Sequence, residues 1–288
     1  MKTIHQSLLF AAVFLAACAL PAAAQGVPEA PLAKLPILLG TTGACNNLVA
    51  GGPCTQTSTL VLLNANTGAL IKTIGPVGFT INGLAFDRTS GTLYASTSIG
   101  DTKFHGLITI NPFTGAGKPV DPNARNFGLA GAASPIHSIA VDVFGHMVGW
   151  YDEFPPPDTY VRINQHTGVA TEFPGTGIDT AQNGVAFGEF NLLWNIDSPR
   201  INQVGIITQT AYLLNPFNGK PLFAQLLTPP TPAALGDFHP VTNLYYGLNF
   251  TAFQPAAPTF IVVVDVLQGT VTTLGQTVNG LHTLAFIP

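Results

Sequence analysis

Short apolar runs, each closed by a polar turn, follow one another along this chain from residue 35 onward. The clearest example is the segment 81–115, INGLAFDRTSGTLYASTSIGDTKFHGLITINPFTG. Its apolar runs predict three strands, at Leu84–Phe86, Leu93–Ser96 and Leu107–Ile110. Gly91 closes the first turn, and an Asn-Pro-Phe-Thr-Gly sequence ends the third strand. The segment therefore predicts strands joined by turns.

The turn that ends the third strand recurs along the chain, with its glycine about 50 residues from the next one. A period of this length, filled with short strands, is typical of a β-propeller. The final glycine predicts a positive φ, and the opening Asn or Asp predicts a side-chain bond to the backbone ahead of it. The copies occupy 64–68, 111–115, 164–168, 215–219 and 265–269.

A second element recurs in phase with the turn and predicts the innermost strand of each blade. Its copies are 82–86, 137–141, 183–187, 234–238 and 282–286.

The two ends of the repeat region complement each other. Residues 35–40 match the second strand of a blade, but no first strand precedes them. Residues 282–288 match the first strand of a blade, but no second strand follows them. Joining them gives one four-stranded blade and leaves no open sheet edge. The sequence therefore predicts an all-β fold, a five-bladed β-propeller closed by N- and C-terminal strands in one shared blade. The spacing is loosest at 196–212, where a sixth blade stays open as an alternative.

The phrases GLAFDRTSGTLYAS and GLITINPFTG resemble the repeats of secreted bacterial propellers of the WD40-like, YVTN and NHL kind. The resemblance covers residues 35–288. Its motifs are structural, so it implies a fold and no catalytic residue.

Composition narrows the range of partners. The chain has 288 residues, of which 8% are charged and 47% hydrophobic, with a net charge of −4. Its ten Lys and Arg residues are scattered, so they form no surface that neutralises a run of phosphates. We therefore expect no nucleic-acid partner and a single propeller domain.

The first 24 residues have the layout of a secretory signal peptide: Lys2, an apolar run and small residues before Gln25. Leu15-Ala16-Ala17-Cys18 also resembles a bacterial lipobox, in which Cys18 becomes the lipidated N-terminus. The sequence leaves both open, and both predict an exported protein in the periplasm, at the outer membrane or outside the cell. Residues 25–34 form a linker, and a lipid on Cys18 would be the link to a membrane.

Cys45 and Cys54 enclose a glycine-rich loop. In an oxidising compartment they predict a disulfide, which would contribute about 2 to 3 kcal/mol by restricting the unfolded chain.

The connections between strands divide into two kinds. Those from strand one to two and from three to four are short, and they lie on one face of a propeller. The remaining connections hold the long irregular segments, which predicts the working surface on their face. These segments are 44–58, 118–135, 151–158, 197–210 and 249–258.

Polar side chains begin most of the innermost strands, at Asn82, His137, Asn183 and His282, whereas blade five has Ala234. Around one channel mouth they could bind a polar ligand, and His137 and His282 could bind a divalent metal, since neutral imidazole is a good metal donor. The alternative is that they line the channel and bond to water and to each other.

One long loop has the composition of a recognition surface. Tyr151, Asp152, Glu153 and Asp158 surround three prolines, so aromatic area and carboxylates meet on a stiff segment. The alternative is a rigid surface loop packed over its neighbours.

A glycosidase would need paired carboxylates across the channel. Asp87, Asp142 and Glu189 lie near the far ends of inner strands, where they are expected to cap turns, and Asp237 lies within an inner strand.

These observations favour an exported, monomeric, non-catalytic binding module at the cell envelope, whose ligand is a carbohydrate, a peptide or an envelope protein. The alternative is a metal-dependent hydrolase or lyase with its site at the channel mouth. Beyond a divalent metal, the sequence implies no cofactor.

Overall fold

The computed structural model describes residues 36–43, 57–129, 136–151, 157–180, 184–201, 205–249 and 258–288. The N-terminal segment, Cys18, Cys45 and Cys54 lie outside the described residues, so the predicted export signal and disulfide stay predictions. Within the described ranges, no helix combines the length and apolar character needed to cross a membrane.

Five four-stranded antiparallel sheets make up the structure, as the repeat predicts. The five innermost strands pack against each other in ring order. The strands of each blade are given from the axis outward. Blade one has β22 (Leu281–Ile287), β1 (Ile37–Thr42), β2 (Thr59–Leu63) and β3 (Leu70–Pro76), and blade two has β4 (Ile81–Asp87), β5 (Thr92–Thr97), β6 (Leu107–Ile110) and β7 (Gly117–Pro119). Blade three has β8 (Ser138–Val141), β9 (Met147–Tyr151), β10 (Thr159–Ile163) and β11 (Ala170–Phe173), blade four has β12 (Gly184–Phe187), β13 (Leu193–Ile196), β16 (Thr210–Leu214) and β17 (Pro221–Leu226), and blade five has β18 (Ala234–Phe238), β19 (Tyr245–Asn249), β20 (Phe260–Asp265) and β21 (Thr270–Gln276).

Blade one is built from both ends of the chain, which confirms the predicted closure. β22 is its inner strand and pairs with β1, with Leu38 opposite Phe286 and Gly40 opposite Leu284. The protein is therefore a five-bladed β-propeller. The loose spacing near residue 200 comes from an extra hairpin, β14 (Arg200–Ile201) with β15 (Ile207–Thr208), inserted between the second and third strands of blade four. It is not a sixth blade.

The hydrophobic core is divided into five clusters, each between two neighbouring blades. Successive residues of a strand point to opposite faces of its sheet, so Leu38 packs toward blade five whereas Leu39 packs toward blade two. Each blade therefore depends on both neighbours for its buried apolar surface.

The recurring turns have the geometry that their sequence predicts. Their glycines all have positive φ, from +68° at Gly168 to +82° at Gly115. Each opening side chain folds back onto the turn: the Oδ1 of Asn111, for example, accepts the N–H of Phe113 at 2.9 Å. This bond directs the third residue of the turn away from the sheet.

Candidate functional site

The central channel has two ends with different connections around them. The inner strands begin at one end, surrounded by the long loops, which we call the loop-rich face. They finish at the other end, surrounded by the short turns, which we call the tight-turn face. Asn82, His137 and His282 lie at the loop-rich end as predicted, and Asn183 lies outside the described residues.

The histidines at the loop-rich end are uncharged at neutral pH. Desolvation lowers the pKa of His282 to about 3, with a further contribution from His137. Desolvation likewise lowers the pKa of His137 to about 4, with a further contribution from His105. Part of the surface of His137 and His282 still reaches solvent in the channel, but close protein atoms surround both rings. The three imidazoles thus form one electrostatically coupled group.

His105 is a member of this group that the sequence does not reveal. It lies in the connection between β5 and β6, where its loop context predicts a structural or solvent-facing side chain. Instead it is buried, with its ring edge-on to Phe127 at 5.6 Å between centroids. Its two ring nitrogens have no hydrogen-bond partner among the described residues. Desolvation lowers its pKa to about 4, although Asp101 and Asn126 oppose the shift.

Metal binding at this end stays a prediction. Across the described ranges, no three or more His, Cys, Asp or Glu side chains are grouped so that they could bind a metal ion. The pair His137 and His282 would need further ligands, from segments outside those ranges or from water.

The predicted recognition loop is anchored at both ends by buried residues. Tyr151 is buried and donates its hydroxyl to Oε1 of Glu172 at 2.7 Å. Asp158 is fully buried, and its Oδ2 accepts hydrogen bonds from the Trp150 ring at 3.2 Å and from the backbone of Thr180 at 2.6 Å. These two side chains therefore support the scaffold instead of forming an exposed surface. Asp152 and Glu153 lie outside the described residues.

A cavity of about 490 Å³ occupies the tight-turn end of the channel. Its walls include apolar side chains from the last residues of the inner strands, such as Val141, Phe187 and Phe286. Ionisable groups converge on this space from neighbouring blades. They are Arg88, Asp142, Glu189, Asp237 and His239. A concave space in which apolar walls meet converging polar groups is a candidate small-ligand site.

Asp237 departs from the internal repeat. The aligned position in the other inner strands is occupied by alanine, at Ala85, Ala140, Ala186 and Ala285. The carboxylate of Asp237 accepts the N–H of Phe238 at 2.8 Å and, across the blade boundary, the N–H of Phe286 at 2.9 Å. Each oxygen therefore keeps a further lone pair for a ligand.

The local backbone of β18 is adapted to this aspartate. The register with β19 shifts between Ala234 and Asp237, which is a β-bulge. Within it Leu235 has a φ of +50°, a conformation that branched side chains rarely adopt. A Cβ on Gly236 would overlap the carbonyl oxygen of Tyr246, so the bulge needs glycine there. Strained backbone of this kind is concentrated at functional sites.

Burial governs the ionisation of Asp237. Desolvation raises its pKa to about 6, opposed by the hydrogen bonds from Phe286 and Phe238 and by the charge of Arg88. At neutral pH the carboxylate is ionised and under-solvated, which favours a ligand that brings hydrogen-bond donors to it.

The rim of the cavity is held by bonds between blades. The Oδ1 of Asn243 accepts the N–H of Glu189 at 2.6 Å, and the Oδ1 of Asn191 accepts the N–H of Val143 at 3.0 Å. His239 accepts the N–H of Thr242 through Nδ1 at 3.1 Å, which assigns the ring proton to Nε2 at neutral pH. The cavity is therefore pre-formed.

Comparison with known proteins finds only distant structural similarity. No family model matches the chain, and no curated protein matches it. TolB from Acinetobacter baumannii is 13% identical over 84% of this chain, with a TM-score of 0.47, and the present chain spans 54% of that structure. A gluconolactonase from Xanthomonas campestris is 11% identical over 84% of this chain and 86% of its own, with a TM-score of 0.38. An endo-1,4-beta-xylanase from Bacteroides thetaiotaomicron is 8% identical over 86% and 95%, with a TM-score of 0.47. Likenesses this distant carry no argument about activity.

Proposed function

We propose that the protein is an exported, non-catalytic binding module that holds a carbohydrate in the cavity at the tight-turn end of its channel. The N-terminal sequence supports export, because residues 1–24 have the layout of a secretory signal. The fold supports binding, because a rigid ring of blades surrounds a pre-formed cavity.

The observation that carries this proposal is Asp237. An alanine suffices for the fold at this position in four blades, so packing does not require the aspartate. The residue places a desolvated charge beside the bulge of blade five. A ligand hydroxyl that donates to Asp237 would compensate this desolvation, and Arg88 could donate to a neighbouring hydroxyl.

The cavity suits a hydroxylated ligand better than an anionic one. Its one arginine, Arg88, is outnumbered by the carboxylates of Asp142, Glu189 and Asp237, which disfavour an anion and can accept hydrogen bonds from hydroxyl groups. The exposed rings of Phe144 and Phe190 add flat apolar area on which the C–H faces of a sugar can pack.

The test is calorimetric titration of the processed protein with cellobiose, maltose and N-acetylglucosamine, using Asp237→Ala as the deficient variant. This variant restores the residue of the other four blades, so we expect it to fold. We expect saturable binding of at least one sugar and a loss of about tenfold or more in affinity on substitution, since a bond to a charged group is removed. Asp179→Ala removes an exposed carboxylate that pairs with Arg200, and it serves as the matched control.

Two results would contradict the proposal: none of the sugars binds, or Asp237→Ala binds them as the wild type does. Stoichiometric metal in the purified protein that is lost on His137→Ala would favour the metal-dependent hydrolase or lyase instead. The uncharged imidazoles of His105, His137 and His282 are the observation behind that second candidate.

A further inference from the structure

Large apolar side chains project from the tips of the short turns on the tight-turn face. Their exposed fractions run from 65% at Leu267 to 86% at Phe113. They come from blades two to five and surround the channel. We call this set the apolar crown; its members are Phe113, Phe144, Phe190, Phe217, Val241 and Leu267.

The turns direct these side chains outward but do not require them to be apolar. In each recurring turn, the opening Asn or Asp accepts the N–H of the third residue, so that residue becomes the tip. Blades one and three carry Asn66 and His166 at this tip. Phe113, Phe217 and Leu267 are therefore exposed apolar groups that the fold could replace with polar ones.

Two acidic groups of these turns, Asp142 and Asp265, bond back to their own backbone, whereas Glu189 is exposed beside Phe190. Oδ1 of Asp142 accepts the N–H groups of Phe144 and His146, and Oδ1 of Asp265 accepts the N–H of Leu267 at 3.0 Å. Bonds between the turns, such as those of Asn191 and Asn243, hold the tips in place. The crown is thus a rigid array of apolar tips.

The propeller also receives its N-terminal segment on this face. β1 is a second strand that runs antiparallel to β22, so Pro36 lies at the tight-turn end. In the sequence, Cys18 with its lipobox-like context precedes Pro36 by a short linker. The chain that would carry a lipid on Cys18 therefore enters the propeller on the side that carries the crown.

We propose that the apolar crown inserts into the headgroup region of a lipid bilayer and places the tight-turn face against the membrane. Because Phe144, Phe190 and Val241 also line the cavity, its mouth then faces the headgroups, and the membrane-bound protein can take only a sugar presented at that surface. Exposed apolar arrays of this size mark interaction surfaces, and apolar burial drives interfacial binding to lipid. Because the crown is uncharged and the chain has a net charge of −4, we expect binding to zwitterionic lipid that high salt does not weaken.

The test is co-sedimentation with phosphatidylcholine vesicles. The protein carries Cys18→Ser to prevent lipidation, and mass spectrometry confirms that its signal segment has been removed. The crown variant combines Phe113→Asn, Phe217→Asn and Leu267→Asn, following Asn66 of blade one. None of these three residues lines the central cavity, so the sugar site stays intact. We expect the partition coefficient to fall by about tenfold or more, since three apolar groups leave the interface.

The control variant removes apolar side chains of similar exposure from other surfaces: Ile201→Thr, Leu222→Thr and Leu226→Thr. We expect it to bind vesicles as the wild type does, and both variants to keep the wild-type melting temperature within a few degrees.

Three results would overturn the proposal. The wild type does not sediment with vesicles, the crown variant binds as well as the wild type, or both variants lose binding equally. A fourth contradicting result would come from analytical ultracentrifugation without lipid. If the wild type is a dimer and the crown variant is a monomer, the partner of the crown is a second copy of this chain.

Discussion

Asp237 has both a structural contact and a place in the candidate binding site. It bonds the inner strand of blade five to that of blade one, and it lies in the wall of the cavity. Because its pKa is raised from 3.8 to about 6, the folded protein keeps this proton at pH values where the unfolded chain has released it. Its contribution to stability is therefore greatest in acid and falls as pH rises from about 4 to 6.

Asp237→Asn should remove this penalty while an amide oxygen still accepts the N–H of Phe286, at the loss of the hydrogen bond from Phe238. At pH 8 we expect the variant to be more stable than the wild type by about 1 to 2 kcal/mol, and this advantage to be lost near pH 4. Urea unfolding at the two pH values measures it. A variant that is less stable at pH 8 would show that the ionised carboxylate holds the strands better than an amide.

Sequence comparison between blades identifies Asp237 as unusual, because alanine occupies the other four copies. It does not reveal the bulge, since Leu235 and Gly236 fit the apolar pattern of an ordinary inner strand. It also misses His105, whose burial depends on packing against Phe127 from a distant loop. Local pattern predicts a residue's strand and face, whereas these two features arise from contacts between segments that lie apart in the sequence.

At the level of elements, the short turns carry the most specific sequence signal in the chain. Gly91 and Gly115 both have positive φ, at +69° and +82°. A Cβ on Gly91 would meet no atom within 4 Å, whereas a Cβ on Gly115 would approach the carbonyl oxygen of Gly75 in the neighbouring blade to 2.5 Å. A substitution at Gly91 therefore tests backbone strain alone, whereas a substitution at Gly115 tests backbone strain together with crowding.

We expect Gly91→Ala to destabilise the protein by about 1 to 2 kcal/mol, the strain of a left-handed alanine. Gly115→Ala should destabilise it by about 3 kcal/mol or more, because the blade boundary must also open. Thermal and denaturant unfolding compare the two variants directly. Equal losses would mean that the contact between turn and neighbouring blade relaxes freely.

The predicted strands match the observed ones closely in this part of the chain. Leu107–Ile110 has the same bounds in the structure, while Leu84–Phe86 and Leu93–Ser96 are extended by flanking residues. The sequence alone does not distinguish the hairpin of β14 and β15 from a sixth blade, because an inserted pair of strands and a degraded repeat have the same apolar pattern. Its pairing, which only the fold reveals, distinguishes them.

For the whole molecule, the three coupled histidines determine the response to acid. Each has a folded-state pKa of about 3 or 4, below the 6.5 of an unfolded chain. The unfolded chain therefore binds up to three more protons as pH falls below 6.5, and stability falls with it. Between about pH 4 and 6 the folded protein binds more protons at Asp237 than the unfolded chain does. This difference offsets up to one of the three extra protons that the unfolded chain binds at the histidines.

Replacing His137 and His282 together with Asn, the residue at the equivalent position of blade two, should flatten this acid response. We expect the melting temperature of the double variant to change less between pH 7 and 4.5 than that of the wild type, with the remaining slope set by other groups, among them His105, His239 and Asp237. His166→Asn alters an exposed turn tip and is the matched control, which should follow the wild type. An unchanged slope in the double variant would show that other groups control acid unfolding.

Blade one has a consequence for how the protein is made. The inner edge of β1 is covered by β22, whose residues are the last of the propeller to be synthesised. Pairing between such distant segments is slow to form. During synthesis the nascent chain therefore remains an open row of blades with an uncovered strand edge. Products that stop before β22 keep that edge exposed, so they are targets for proteolysis and aggregation. Premature termination should therefore be far more harmful here than the loss of a few residues from an ordinary flexible tail.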